Sequence, residues 1–410
     1  VRKMAIFFGD DFEEKEEAKA LMKSLAKFLE KLGNLELENV EIRAEELTFI
    51  LQPMVGVMAQ SPQLAPRVEK AIETLLKVEF SPPIETYPGE VVEVQIGATR
   101  SDGGSRKKVV KIGGEKTMPF YSFEALNPNK PAFAMDLFDM PVALAKSVKQ
   151  HFEDVMHDPA EWAKRLVEDF GAEIVSLNLI STDPLIKDTS PKEAAKTVER
   201  VLQAVDVPLI IGGSGNKAKD PMVLEAAAEV ASGERCVLNS ANIDNDYKRI
   251  ARAAKQYGHI VVAFTPMDIN NQKKLNRLLL DEGLSKEQII IDPTTAALGY
   301  GLDYTLSLME RIKLAGLLGD SDLQMPILAS TSNSWGAREA WMKSEEWGPK
   351  EYRGPLWETV TTITAMMAGG DLFMLSHPAT IRIAKRLVEN LYGEVDADQR
   401  IQDWITDIGL

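Results

Sequence analysis

The sequence predicts a (β/α)8 TIM barrel of the α/β class, preceded by a helical extension and a β-hairpin. Three observations carry the prediction. Eight short apolar runs recur between residues 132 and 375, a helix-start signal follows several of them, and small polar clusters such as Asn239-Ser240-Ala241-Asn242 and Asp292-Pro293-Thr294-Thr295 mark where runs end. Runs that are apolar on consecutive positions suit strands buried on both faces. Strict strand–helix alternation, eight times over, fits a closed barrel better than the alternative, an open flavodoxin-like sheet.

In chain order, residues 1–90 come first. A Glu-rich run, Glu13 to Glu17, leads into an amphipathic helix carrying Leu21, Leu25, Phe28, Leu29 and Leu32 at helical spacing, and Gly33 ends it. A second helix is expected from Pro66 to about Val78, and the stretch from Ser81-Pro82-Pro83 to Pro88-Gly89 reads as a linker, so a domain boundary falls near residue 90. This extension either packs on the barrel or docks partner subunits. Residues 91–98 and 107–112 then alternate around a Gly-rich connection, which reads as a hairpin plugging the bottom of the barrel. Its basic Arg100, Arg106, Lys107 and Lys108 are solvated or face an anionic group.

With the hairpin, the barrel occupies residues 91–393. Its eight runs are 132–138, 174–179, 208–211, 235–238, 260–264, 288–291, 326–329 and 372–375. Helix starts are legible at Asp158-Pro159, Ser190-Pro191, Asp220-Pro221 and His377-Pro378, where a capping or pre-proline residue precedes proline at the first helical position. Gly171, Gly233, Gly258 and Gly283 close helices. Residues 394–410 form an acidic tail with Ile401, Trp404, Ile405 and Ile408 on one helical face, a stripe that covers the barrel or a partner.

A formal charge of -15 and a pI near 5.0 argue against nucleic acid or an anionic membrane surface as the main partner. No apolar run approaches the ~20 residues that span a bilayer, and no signal-peptide pattern opens the chain, so a cytoplasmic protein is expected. The single cysteine, Cys236, sits inside the fourth run and is expected in the core. One thiol cannot hold an iron–sulfur cluster, which takes about four. A redox centre therefore has to come from another chain or a bound cofactor.

The strand ends of such a barrel form its functional face. The four histidines stand in no metal-ligand spacing and none fits D-x-H-x-x-G, the loop that puts histidine on cobalt in many corrinoid domains. His377, at the end of the last run, reads as a helix cap. Gly212-Gly213-Ser214-Gly215-Asn216 is neither a nucleophile elbow nor G-x-G-x-x-G, and is either a tight turn or a loop offering backbone N–H groups to a ligand. Asn239 and Asp292, after the fourth and sixth runs, suit a ligand that presents both donors and acceptors, such as a pterin's amide edge. Pterin-binding barrels such as dihydropteroate synthase carry a comparable asparagine and Asp-Pro, plus an aspartate where this chain has Gly212-Gly213-Ser214. Four of the six tryptophans, at 335, 341, 347 and 357, lie close to Arg338, Tyr352 and Arg353 in a segment expected to be an interface.

Several stretches together resemble one family. Ser101-Asp102-Gly103-Gly104-Ser105-Arg106, Gly113-Gly114-Glu115-Lys116, Leu179-Ile180-Ser181-Thr182-Asp183-Pro184, the 212–216 loop, the run from Asp292-Pro293-Thr294-Thr295 to Gly301, and Tyr352-Arg353-Gly354-Pro355 are similar to the delta subunit of the archaeal acetyl-CoA decarbonylase/synthase complex. That subunit is the counterpart of the small subunit of the bacterial corrinoid iron–sulfur protein. The likeness spans about residues 91–393. It implies a non-catalytic (β/α)8 subunit with no cluster of its own, paired with a larger subunit that holds the iron–sulfur cluster, with a corrinoid (a cobalamin-type cobamide) clamped between them. Further implied partners are the acetyl-CoA synthase and carbon monoxide dehydrogenase subunits and a methyl-tetrahydropterin methyltransferase. The implied traffic is a methyl group moving between a methyl-tetrahydropterin and the nickel centre, with chemistry carried by the cofactor. Strand-end position then nominates Ser214, Asn216, Asn239, Asn242, Asp268, Asn270, Asp292, Thr294, Asn333 and Trp335 as cofactor-facing residues, with no catalytic or metal-ligating residue expected.

Overall fold

The computed structural model describes residues 84–120 and 127–393. The expected helices before residue 80 and the tail stripe lie outside the described residues. All eight barrel runs form strands: β3 (Ala132–Phe138), β4 (Ile174–Asn178), β5 (Leu209–Gly212), β6 (Val237–Ala241), β7 (Ile260–Phe264), β8 (Ile289–Asp292), β9 (Leu328–Ala329) and β10 (Leu372–Leu375). They are parallel throughout, in the order β8-β7-β6-β5-β4-β3-β10-β9. A parallel bridge between Ile291 and Ile327, with Ile291 N donating to Pro326 O at 2.9 Å, joins the two outer strands and closes the cylinder.

The helices are α1 (Lys146–Lys149), α2 (Pro159–Glu168), α3 (Pro191–Ala204), α4 (Asp220–Val230), α5 (Tyr247–Tyr257), α6 (Ile269–Asp281), α7 (Leu302–Leu317), α8 (Lys350–Met367) and α9 (Pro378–Leu391). Three of the four expected proline starts are capped as read. Asp158 accepts from Ala160 N, Ser190 from Glu193 N, and the Nδ1 of His377 from Ala379 N. Asp220 departs from the expectation. It is the first helical residue rather than the cap, and its carboxylate turns back to the preceding loop.

Period-two alternation sorts each strand into two cores. Phe133, Met135, Leu137, Val175, Leu177, Leu209, Ile211 and Phe373 face the helices. Ala132, Ala134, Ile174, Ile210, Val237, Ile260, Val262, Ile290, Leu328 and Leu372 fill the cylinder. The hairpin is shorter than read, β1 (Val94–Ile96) against β2 (Val110–Ile112), because flanking residues turn away to bond the barrel floor; Val92 N, for instance, reaches Gln324 O. Val94, Ile96 and Ile112 are fully buried in the inner core, so the hairpin is the expected plug. Burying three such side chains contributes roughly 1.5–3 kcal/mol each. With one end stoppered, the strand-end mouth is left as the open face.

Candidate binding face at the barrel mouth

Carrying the inward alternation towards the strand ends replaces hydrocarbon with polar groups. Asp136 on β3, Ser176 and Asn178 on β4, Asn239 on β6, Asp292 on β8 and Ser330 after β9 occupy inward positions there. Gly212 ends β5, and a Cβ there would come within 2.8 Å of Asn178 Oδ1, so glycine leaves room for that carboxamide. Asn178 Nδ2 reaches Asp136 Oδ1 at 3.4 Å and Leu137 O at 3.3 Å. The Asn239 carboxamide lies 3.9 Å from the Met374 sulfur, a weak contact that leaves most of its hydrogen-bonding capacity unused.

Both acids are buried, and burial decides their titration. It pushes Asp292 up to about 7, against hydrogen bonds from Thr294 N and Ser330. It pushes Asp136 up to about 6, against Ser332, Ser176 and Asn178. A carboxyl that titrates near neutrality presents both a donor and an acceptor. The floor of the mouth therefore sets two acids that change charge around neutral pH among carboxamide and hydroxyl groups.

The nominated residues divide into two sets. Asn239 and Asp292 stand on the inner floor. Asp268 caps α6, its carboxylate accepting from Asn270 N, Asn271 N and Asn271 Nδ2, while Asn270 itself is exposed. Ser214 donates to Asp220 Oδ1 through both N and Oγ at 2.9 Å, and Gly215 N takes the other oxygen at 2.8 Å. The 212–216 loop is thus a turn wrapped on Asp220, with those N–H groups already satisfied. Asn216 accepts from Ala218 N and Lys219 N, and Asn242 from Asp244 N, so both carboxamide oxygens hold their own turns. Thr294 donates to Thr265 O, and Asn333 donates to Thr295 O across the loops after β8 and β9.

Trp335 lies with its ring stacked at 6.0 Å on His377, and a Cβ on Gly354 would collide with it at 2.2 Å. Glu358 of α8 anchors the same corner, accepting from Ser376 N at 2.6 Å and His377 N at 3.0 Å; burial pushes it up to about 7. His377 is pushed down to about 3, by burial first and then by His151, so it is a neutral cap. Of the tryptophan-rich segment, Trp335 and Trp357 pack inward, the latter donating to Leu298 O, and Arg353 binds the carbonyls of Glu339 and Met342. Trp341, Trp347 and Tyr352 stay exposed, as do Tyr300, Tyr304, Met267, Leu185 and Ile186 in segments that follow other barrel strands.

Sequence reasoning missed Asp136, Ser176 and Asn178. The available signal was polar residues on the inward parity of otherwise apolar runs: Asp136 in Ala132–Phe138, and Ser176 with Asn178 in Ile174–Asn178. At the basic hairpin tip, Arg106 binds Leu202 O, Val205 O and Glu234, and Lys107 pairs with Asp206. The groove of about 1080 Å³ beside it, lined also by Glu168, Glu199 and Glu234, is at the plugged end. Cys236 is buried in the core, its thiol pushed up to about 12 by burial. Among the described residues no three His, Cys, Asp or Glu side chains gather as a metal site, and no helix is long and apolar enough to cross a membrane.

Fold and site together define a plugged parallel barrel with buried acids, carboxamides and hydroxyls on the floor of its open mouth, a candidate binding face. The chain belongs to the CO dehydrogenase/acetyl-CoA synthase delta subunit family, whose pattern matches residues 93–344. It is 52% identical over 357 residues to the acetyl-CoA decarbonylase/synthase complex subunit delta of Archaeoglobus fulgidus, covering 85% of this chain and 79% of that one. The subunit of the same name from Methanocaldococcus jannaschii is 48% identical over 394 residues, covering 94% and 96%. Among solved structures, dihydropteroate synthase from Xanthomonas albilineans in complex with 7,8-dihydropteroate aligns with a TM-score of 0.46 at 15% identity, over 64% of this chain and 94% of that one.

Proposed function

We propose that this barrel is a non-catalytic subunit of an acetyl-CoA decarbonylase/synthase complex, and that its mouth covers one side of a corrinoid held by a larger, iron–sulfur-carrying subunit. The observation that carries the reading is the mouth floor, where Asp136, Asn178, Asn239, Asp292 and Ser330 bring hydrogen-bond donors and acceptors to the inward strand-end positions. A corrin periphery bears neutral amide side chains, which such donors and acceptors fit. When bound, the corrinoid supplies the metal that accepts and passes on a methyl group. The chain's own residues would bind the amide edges, hold the ring's orientation and exclude water. Exposed Trp341, Trp347, Tyr300 and Tyr304 are the anchors for the larger subunit, since aromatic side chains dominate protein interfaces. The remaining subunits of the complex, and the methyltransferase, then meet the pair as a unit.

The test is to purify the chain with its large partner and record the corrinoid spectrum and methylation rate for the native pair and for Asn239→Ala with Asp292→Ala. A shifted spectrum and slower methylation are expected. Identical spectra and rates would reduce the chain to an assembly scaffold.

A second reading has one observation in its favour. Asn239 and Asp292 share the floor with Asp136, an acid that can take the place of the one missing after β5, so the mouth would bind a methyl-tetrahydropterin directly. Titrating the isolated chain with that pterin separates the two readings: tight binding with methyl transfer to free corrinoid favours the second.

A further inference from the structure

Three ionisable side chains at the plugged end take no part in the mouth. Lys313 on α7, Asp371 just before β10 and Glu115 just after β2 have side chains only 1%, 8% and 7% exposed. Lys313 Nζ donates to Asp371 Oδ2 at 2.7 Å and lies 3.5 Å from Glu115 Oε1. The same Asp371 oxygen accepts from Ile327 N at 2.7 Å. Asp371 sits on the seam of the cylinder: its N–H donates to Ile327 O and its carbonyl accepts from Ala132 N, linking the approach to β9 with the first barrel strand. Glu115 belongs to the plug, its carbonyl holding Val91 N. The lysine therefore ties plug to seam.

Two carboxylates face one ammonium in this interior. Fully ionised, the cluster would carry one uncompensated negative charge away from water, which is costly. Glu115 Oε2 is also buried without a hydrogen-bond donor among the described residues. One extra proton answers both problems. We propose that Asp371 and Glu115 share a proton at neutral pH, so that a net-neutral lock fastens the hairpin plug to the barrel seam, and that alkaline conditions loosen it.

The direction of each titration agrees. Asp371 is raised well above the usual carboxylate range, by burial first and then by Glu115. Burial raises Glu115, but the neighbouring Lys313 ammonium outweighs it, so the group is lowered on balance. Burial also works against the charge on Lys313, and the two carboxylates outweigh it, so the lysine stays charged. Among the described residues, the other titratable group facing the cluster is Tyr392 after α9, pushed up to about 12 by burial, then by Glu115 and Asp371, and hence neutral. The sign follows: a raised Asp371 favours the folded plug at lower pH, and that contribution is lost as pH rises through its folded value.

The experiment follows amide exchange of the full chain by mass spectrometry, comparing plug peptides with barrel-strand peptides between about pH 7 and pH 10 after correction for intrinsic exchange. In the native chain, residues 89–115 are expected to gain about tenfold in relative exchange at the higher pH. Asp371→Asn keeps the site neutral and Glu115→Gln removes the surplus acid, so either variant should abolish the increment. An increment that persists in both, or is missing in the native chain, overturns the lock. Should neither variant fold, infrared spectra of the native chain decide. At about pH 8.5 the mouth acids are largely ionised, so a protonated carboxyl band that survives supports the lock and its absence overturns it.

Discussion

Asp292 sets the chemical character of the mouth because it is an acid in a place that disfavours acid charge. Its folded value of about 7 lies above the roughly 3.9 of an unfolded chain, so the folded state resists ionisation. The sign is definite. Stability referable to Asp292 is whole at low pH and is lost as pH climbs from about 4 through about 7, by at most about 4 kcal/mol. Asp136 and Glu358 slope the same way. Asp292→Asn should therefore flatten, not abolish, the fall in denaturant-unfolding free energy between those pH values. A slope identical to that of the native chain would mean that Asp292 is hydrated in the folded protein.

At the scale of elements, two kinds of polar residue lie near the strand ends and do different work. Asp268, Ser214, Asn216 and Asn242 hold helix starts and turns, whereas Asn239, Asp292, Asp136 and Asn178 stand on strands and point inward. Losing an aspartate cap costs about 1 kcal/mol. Asp268→Ala is thus expected to lower stability by about that amount while leaving binding of the large partner unchanged, measured by urea unfolding beside titration calorimetry. Weakened binding at unchanged stability would return Asp268 to the ligand-facing set. Sequence order alone places all these residues just past a strand; only the alternation within each strand separates inward-facing groups from caps. Asp136 went unread for the same reason. It lies within an apolar strand, not in the loop where strand-end reasoning looks.

For the whole molecule, the plug decides where the folding unit begins. Gly89 N donates to Leu317 O, Val91 N to Glu115 O and Val92 N to Gln324 O, so the chain is tied to the barrel floor before the hairpin starts. A fragment of residues 82–393 is expected to unfold cooperatively by circular dichroism, and one starting at residue 99, without β1, is not. Comparable cooperative transitions in both would make the hairpin dispensable. The eight strands, their helices, most caps, the buried cysteine and the family are all legible in the order of residues. Each rests on local periodicity, capping chemistry or long stretches of matching wording, all of which are written in consecutive residues. Folding in three dimensions settles which polar groups meet across the mouth, that Asp220 satisfies the 214–215 amides, and that Lys313, Asp371 and Glu115 converge at the seam. Those pairings join residues far apart in the chain, and burial, which no single segment encodes, sets their charge.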